Sequence, residues 1–285
     1  MANLHETFLD FDKKLNLTKT KADRIRISEM NIKNAIKKHF EQYPNLNYSF
    51  ARQGSFALGT LIRTQKDTCD LDFGLKIFPR PNLSPLTLQK YVSDALKNIQ
   101  NNKRPICKKK CVRLIYKSDY HIDITVYGIS TFKESPFLAT KDGWEESDPS
   151  NFKKWFEEKG GKNIAQLKRI VKYFKAWADN KGNKMPKGVV LTVLVAENFV
   201  SKTRDDISLR ETALKILNFL EDDFSCIMPV SPFDDLIEDL SNSNQYFILK
   251  KLNDFVTDAI LATQTKTKEL KALQLWHRNL GKYFK

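Results

Sequence analysis

Cysteine is scarce in this chain, and the four that occur (Cys69, Cys107, Cys111 and Cys226) follow no repeating interval. That excludes a disulfide scaffold and points to a reducing, cytoplasmic setting, with the fold held by its apolar core. Glycine and proline are also sparse, ten of each, so low-complexity and fibrous architectures are excluded. No apolar run approaches the ~18–20 residues of a membrane helix. The first ten residues are polar and acidic, unlike a secretory leader. A cytoplasmic protein with no membrane partner is expected. Histidines number four and are scattered, so no Ser-His-Asp or Cys-His arrangement can be assembled. Cys107 and Cys111 with His121 and Cys226 lack the paired spacing of a zinc site. Acidic side chains are the last deficit: 34 against 48 Lys and Arg, a net charge of +14. This fits a polyanionic partner, or equally a lysine-rich solubilising surface.

What is present is enough for a real core. The chain has 285 residues, 41% of them apolar, which suits one large domain or two modest ones. Apolar periodicity predicts helices over 3–16 and 21–41. A strand over 48–52 then feeds a Gly-Ser turn, with a short helix over 56–62 capped by its serine. A helix is expected over 86–100, followed by a basic turn at Asn101, Asn102, Lys103 and Arg104. Strands over 112–116 and 121–127, joined at Lys117, Ser118 and Asp119, read as a hairpin. Lys108, Lys109 and Lys110 read as a solvated hairpin edge. Residues 141–161 mark a seam, with Asp148 or Ser150 as a cap and Pro149 in the first helical turn. Beyond it the pattern is helical: 163–179, 188–200, 205–220, 234–240, 245–263 and 266–283. The fold class expected is α+β, with a mixed α/β first half, 1–150, and a helical second half, 151–285.

The chemistry concentrates in Gln53, Gly54 and Ser55, followed by Asp70, Leu71 and Asp72. A strand has a side-chain period of two, so Asp70 and Asp72 share a face. Two carboxylates held together need compensation, and Mg²⁺ suits them because it takes carboxylate oxygens and substrate phosphates. Backbone N–H groups at Gly54 and Ser55, with the Ser55 hydroxyl, can cradle a phosphate. Asp123 interrupts a β-branched run. Alone it reads as the partner of a lysine on a solvated face; with Asp70 and Asp72 upstream it reads as a third metal ligand. Arg169 and Lys172 share one face of a basic, amphipathic helix. That face is either solvated or places Lys172 on a triphosphate.

These residues resemble the DNA polymerase beta-like nucleotidyltransferases. Within that superfamily the chain is similar to the bacterial cGAS/DncV-like enzymes of CBASS anti-phage systems. Gln53 before Gly54 and Ser55, Thr60 after them, Gly143, Trp144, Ser147, Asp148 and Pro149, and the stretch from Val171 to Trp177 carry the likeness. The resemblance implies a polymerase beta-like core with a C-terminal α-helical lobe and an active-site cleft between them. It implies two Mg²⁺ ions, replaceable by Mn²⁺, on Asp70, Asp72 and Asp123. Gln53, Gly54, Ser55, Lys172 and Thr192 are the expected nucleotide-binding residues. Thr192 stands in for a serine that relatives carry nearer Pro186. The substrates implied are ATP and GTP or a pyrimidine NTP, and the product is a cyclic di- or trinucleotide read by a separate effector protein. RNA or another activator is a further possible partner. The alternatives are NMP transfer to RNA or a small acceptor, and, from a different class, an inactive nucleic-acid sensor.

Overall fold

The computed structural model describes every residue except 1, 100–103, 117–118, 131–134 and 183. Asn101, Asn102 and Lys103 of the expected basic turn, and Lys117 and Ser118 of the expected hairpin loop, lie outside the described residues.

The N-terminal helices are α1 (His5–Leu15) and α2 (Lys19–Phe40). The Thr18 hydroxyl caps α2 by accepting from the Lys21 N–H. A mixed sheet follows: β1 (Tyr48–Gln53), β2 (Cys69–Ile77), β3 (Ile106–Cys107), β4 (Val112–Tyr116), β5 (Tyr120–Gly128), β6 (Phe137–Thr140) and β7 (Gly143–Glu146). Two helices interrupt it, α3 (Gly54–Leu58) and α4 (Pro85–Ala95). The path is β1-β2-β5-β4-β3, with β6 added to the end of β5 and β7 to β6. Among the described residues only β2 and β5 run parallel; the other pairs are antiparallel. The hairpin expected over 112–127 is present as β4 and β5. The helical half comprises α5 (Pro149–Gly160), α6 (Ile164–Lys181), α7 (Gly188–Asn198), α8 (Asp205–Asp222), α9 (Asn242–Ala262) and α10 (Glu269–Leu280).

Alternation along the central strands sorts the sheet into two faces. Leu71, Phe73 and Leu75 of β2 and Ile122, Ile124 and Val126 of β5 point one way, into a core with Ile25, Ile32 and Ile36 of α2 and Leu88 and Val92 of α4. The opposite face carries the polar residues and looks toward the helical half.

A second core fills the helical half, and α1 belongs to it. Phe8 packs its ring 5.2 Å from Tyr173, 5.1 Å from Trp276 and 4.9 Å from Phe284. The Tyr173 hydroxyl donates to the Phe8 carbonyl at 2.8 Å. A boundary at 150 therefore divides the chain but not the cores, because α1 crosses back. The tail after α10 continues this packing. Phe284 is fully buried, and the Tyr283 hydroxyl donates to the Thr64 carbonyl at 3.2 Å. Arg63 lies 4.9 Å over the Tyr283 ring.

Two expectations fail locally. Residues 234–240 form turns rather than a helix. The Asp235 carboxylate takes the N–H groups of Cys226 at 2.9 Å and Ile237 at 3.1 Å, and such local side-chain bonds compete with helical ones. The seam also holds β7 before α5 begins, paired with β6 just ahead of it. The α5 cap is the expected one: Asp148 accepts from the N–H groups of Ser150 and Asn151, with Pro149 at the first position. The Lys108–Lys110 run is partly paired: Lys109 meets Asp142 at 2.5 Å and Lys110 meets Glu145 at 2.7 Å.

Candidate active site

A cleft of about 650 Å³ opens between the polar face of the sheet and helices α5, α6 and α7. Its walls include Gly54, Ser55, Thr60, Asp70, Asp72, Asp123, Lys175, Lys187 and Thr192. Pockets of this size hold nucleotide-sized ligands.

The floor follows from strand register. Asp72 of β2 lies directly beside Asp123 of β5, and Asp70 beside His121. All three aspartates line one cavity, though 51 to 53 residues of chain separate the first two from the third. Burial pushes the Asp72 carboxyl up to about 6, and the charges of Asp123 and Asp70 push the same way, against Lys175 and Arg113. Asp123 is held by Arg113, its partner on β4, so the basic residue beside it is an arginine and not the lysine that the reading of Asp123 alone would give. The His121 Nδ1 lies 3.0 Å from an Asp70 oxygen.

Gly54 lies against this floor. Its φ of +56° favours glycine, and a Cβ there would stand 1.9 Å from the Asp72 Oδ2. The turn and the carboxylate can approach only without a side chain. Gly54→Ala is expected to cost ~1–3 kcal/mol from backbone strain alone. It should also displace Asp72. Calorimetric unfolding should show the lowered stability; an unchanged melting temperature would count against this close approach.

The helix after the turn starts earlier than expected, at Gly54 rather than Phe56, and its N-cap is Gln53, which makes no side-chain capping bond. Ser55 stands inside the first turn, where it lines the cleft. Gln53 itself does not line the cleft. Its side chain is buried over Gly74, and its Oε1 accepts from the Thr125 hydroxyl at 2.9 Å and the Tyr127 hydroxyl at 3.3 Å. The side chain is a strut between β1 and β5.

Lys172 is likewise placed elsewhere. Its amine donates to Asp12 at 2.7 Å and to Asn16 at 2.8 Å, tying α6 to α1. Arg169 on the same face is spent on the buried Asp205. The α6 lysine that lines the cleft is Lys175, one turn further along the helix. It donates to the Thr60 carbonyl at 3.2 Å and hydroxyl at 3.1 Å. Burial pushes its amine down to about 7, against the Asp72 charge that raises it. Sequence reasoning missed this residue, although Lys175 belongs to the same basic helix and its partner Thr60 to the same motif. Thr192 does line the cleft, with its hydroxyl donating back to the Gly188 carbonyl at 2.7 Å. Cys107 is exposed on β3, Cys111 is buried beside Asp123 and Cys226 lies in the helical core, so no thiol cluster forms among the described residues.

Residues 48–127, which span β1 to β5 and hold the Gly-Ser turn and all three aspartates, match the family model described as the nucleotidyltransferase domain of cyclic GMP-AMP synthase DncV-like proteins. The chain is 30% identical over 187 residues to a cyclic GMP-AMP synthase of Escherichia albertii, a match covering 60% of this chain and 42% of that protein. It is 23% identical over 268 residues to a c-di-GMP synthase of Roseivirga ehrenbergii, covering 81% and 69%. The chain thus matches less than half the length of the first of these relatives. In architecture it is similar to the Vibrio cholerae cyclic AMP-GMP synthase DncV, with a TM-score of 0.85 at 17% identity over 99% of this chain and 97% of that one. It is also similar to CdnG of Bradyrhizobium diazoefficiens, solved with GTP, with a TM-score of 0.78 at 14% identity over 98% and 95%. These likenesses run beyond the nucleotidyltransferase domain and take in the helical half. No helix among the described residues is long and apolar enough to cross a membrane.

Proposed function

We propose that this protein joins nucleoside triphosphates into a cyclic di- or trinucleotide. A ribose hydroxyl would attack an NTP α-phosphate, forming the new P–O bond and releasing pyrophosphate. The observation that carries this reading is the strand register that places Asp70, Asp72 and Asp123 on one cleft floor, facing Gly54, Ser55 and Lys175.

The donor set fits a hard divalent cation. It is all carboxylate oxygen, and the raised Asp72 carboxyl reflects burial and then the charges of Asp123 and Asp70, both of which a cation offsets. Asp70, Asp72 and Asp123 would hold Mg²⁺, with Mn²⁺ as substitute. When bound, such ions acidify the acceptor hydroxyl and neutralise the leaving pyrophosphate. The chain's own residues do the rest. Gly54 leaves room for phosphate oxygens against the turn backbone, and the Ser55 hydroxyl can donate to them. Lys175, already oriented by Thr60, offers an amine to the phosphate tail, whose negative charge would favour its protonated form. The apolar Leu58, Leu61, Ile62, Met185 and Val189 along the cleft offer flat contacts for bases and exclude water. Catalysis here is positioning and charge neutralisation. Relatives and neighbours support the product class: two are named as cyclic dinucleotide synthases, and DncV has been solved with a linear dinucleotide intermediate. A role in anti-phage defence, with a separate effector reading the product in the cytoplasm, completes the proposal.

The test is incubation with all four labelled NTPs and Mg²⁺ or Mn²⁺, phosphatase treatment, and mass spectrometry. A phosphatase-resistant cyclic product is expected, absent from an Asp70→Asn/Asp72→Asn protein. An extended RNA in place of a cyclic product, when RNA is added, would overturn the proposal in favour of terminal NMP transfer.

A further inference from the structure

Two of the three cleft carboxylates already have a basic partner across the sheet. Asp70 faces His121, and Asp123 faces Arg113. The Arg113 grip is the more complete. Its Nε donates to Oδ1 at 2.7 Å and its Nη2 to Oδ2 at 2.6 Å, so one fork engages both oxygens. Asp72, between them, receives no hydrogen bond among the described residues. Nor do three His, Cys, Asp or Glu side chains converge on one point among the described residues. The fork holds the Asp123 carboxylate to Arg113 of β4, and His121 holds that of Asp70.

We propose that Arg113 guards the third carboxylate: its guanidinium and a divalent cation compete for Asp123, so Arg113 sets the cation affinity of the centre. This rests on reading the three aspartates as a cation site. A bidentate fork occupies one lone pair on each carboxylate oxygen and fixes the plane of the group. The guanidinium also brings a unit positive charge to within one hydrogen bond of the place a second cation must approach. It stays charged at every accessible pH, so the competition cannot be titrated away. The pair is mostly shielded from solvent, at 28% and 15% exposure, so salt screens it weakly. Enough of Arg113 is exposed for water to receive the guanidinium when it is displaced. In the cation-free protein the same fork prevents three bare carboxylates from facing one another in a partly buried cleft.

A guard and a mere buttress predict opposite signs. If Arg113 only oriented Asp123 as a ligand, its loss would weaken cation binding, as with other groups that brace metal ligands. If it competes, its loss tightens binding. The experiment is Mn²⁺ titration followed by electron paramagnetic resonance on the full chain, comparing wild type, Arg113→Gln, Arg113→Lys and Asp72→Asn. Arg113→Gln is expected to bind Mn²⁺ on the order of tenfold tighter or more, since a neighbouring positive charge is removed. Arg113→Lys keeps the charge and loses the fork, and should fall between. Equal or weaker binding by Arg113→Gln overturns the guard while leaving the cation site intact. Wild-type binding no tighter than that of Asp72→Asn removes the cation site and the guard together. If Arg113→Gln does not fold, Arg113→Lys carries the comparison: tighter than wild type supports competition, and unchanged or weaker overturns it.

Discussion

Replacing Asp72 by asparagine is expected to abolish nucleotidyl transfer and, in cation-free buffer near neutral pH, to make the protein more stable. The two effects have one cause. The Asp72 carboxyl sits at about 6 against an ordinary 3.8, chiefly through burial and then through Asp123 and Asp70. A carboxyl with a raised folded-state pKa favours the folded state when protonated. Its ionisation is penalised as pH rises from about 4 through about 6, and the penalty is complete above that. The shift corresponds to about 3 kcal/mol at pH 8. Asparagine carries no such penalty. The variant should therefore melt higher than wild type at pH 8 and close to it at pH 4, by calorimetry without divalent ions. Adding Mg²⁺ should stabilise wild type and leave the variant where it was. Activity should fall more than ~100-fold, about 3 kcal/mol of barrier, because a ligand for the reacting centre is gone. A variant less stable than wild type at pH 8 would mean that Asp72 is held by something other than repulsion and burial.

The second large contrast is between two lysines three residues apart on α6. Lys175→Met is expected to cost little stability, since it removes a desolvated amine bound, among the described residues, to Thr60. It should raise the KM for NTP at least ~10-fold through loss of a phosphate-facing charge. Lys172→Met is expected to do the reverse. It leaves Asp12 without its buried partner and loosens α1 from α6, at a cost of about 3 kcal/mol. The KM of the fraction that folds should stay near wild type. Steady-state kinetics and chemical denaturation on both variants decide it. If Lys172→Met raised KM and Lys175→Met did not, the cleft would have to be redrawn.

The aspartates could be found in the sequence because their geometry is local. A period of two fixes Asp70 and Asp72 on one face, and a strand interrupted by Asp123 needs only to lie beside theirs. The choice between Lys172 and Lys175 is not local. Both sit on one basic helix, and what separates them is Asp12 and Asn16, some 160 residues away, which claim Lys172. The place of Gln53 is not local either: Thr125 and Tyr127 draw its side chain beneath the floor, and neither is near it in the chain. The side on which α1 packs was hidden too, because an apolar stripe of Phe8, Phe11 and Leu15 suits either core. The β6–β7 hairpin did leave a trace, the Asp142-Gly143 pair, but strands of four residues give periodicity too little to work on.

The tail that reaches back to the cleft wall gives the chain a timetable. The segment from Arg63 to Gln65 adjoins the cleft at Thr64 and is braced by Tyr283, while Phe284 completes the aromatic cluster around Phe8 and Phe11. These contacts join the first and last helical segments across almost the whole sequence, and such distant closures form late. A nascent chain can build its sheet and carry its three aspartates long before residue 284 leaves the ribosome. During that interval the wall beside Thr64 lacks its brace and α1 lacks part of its packing, so the finished cleft waits for Tyr283 and Phe284.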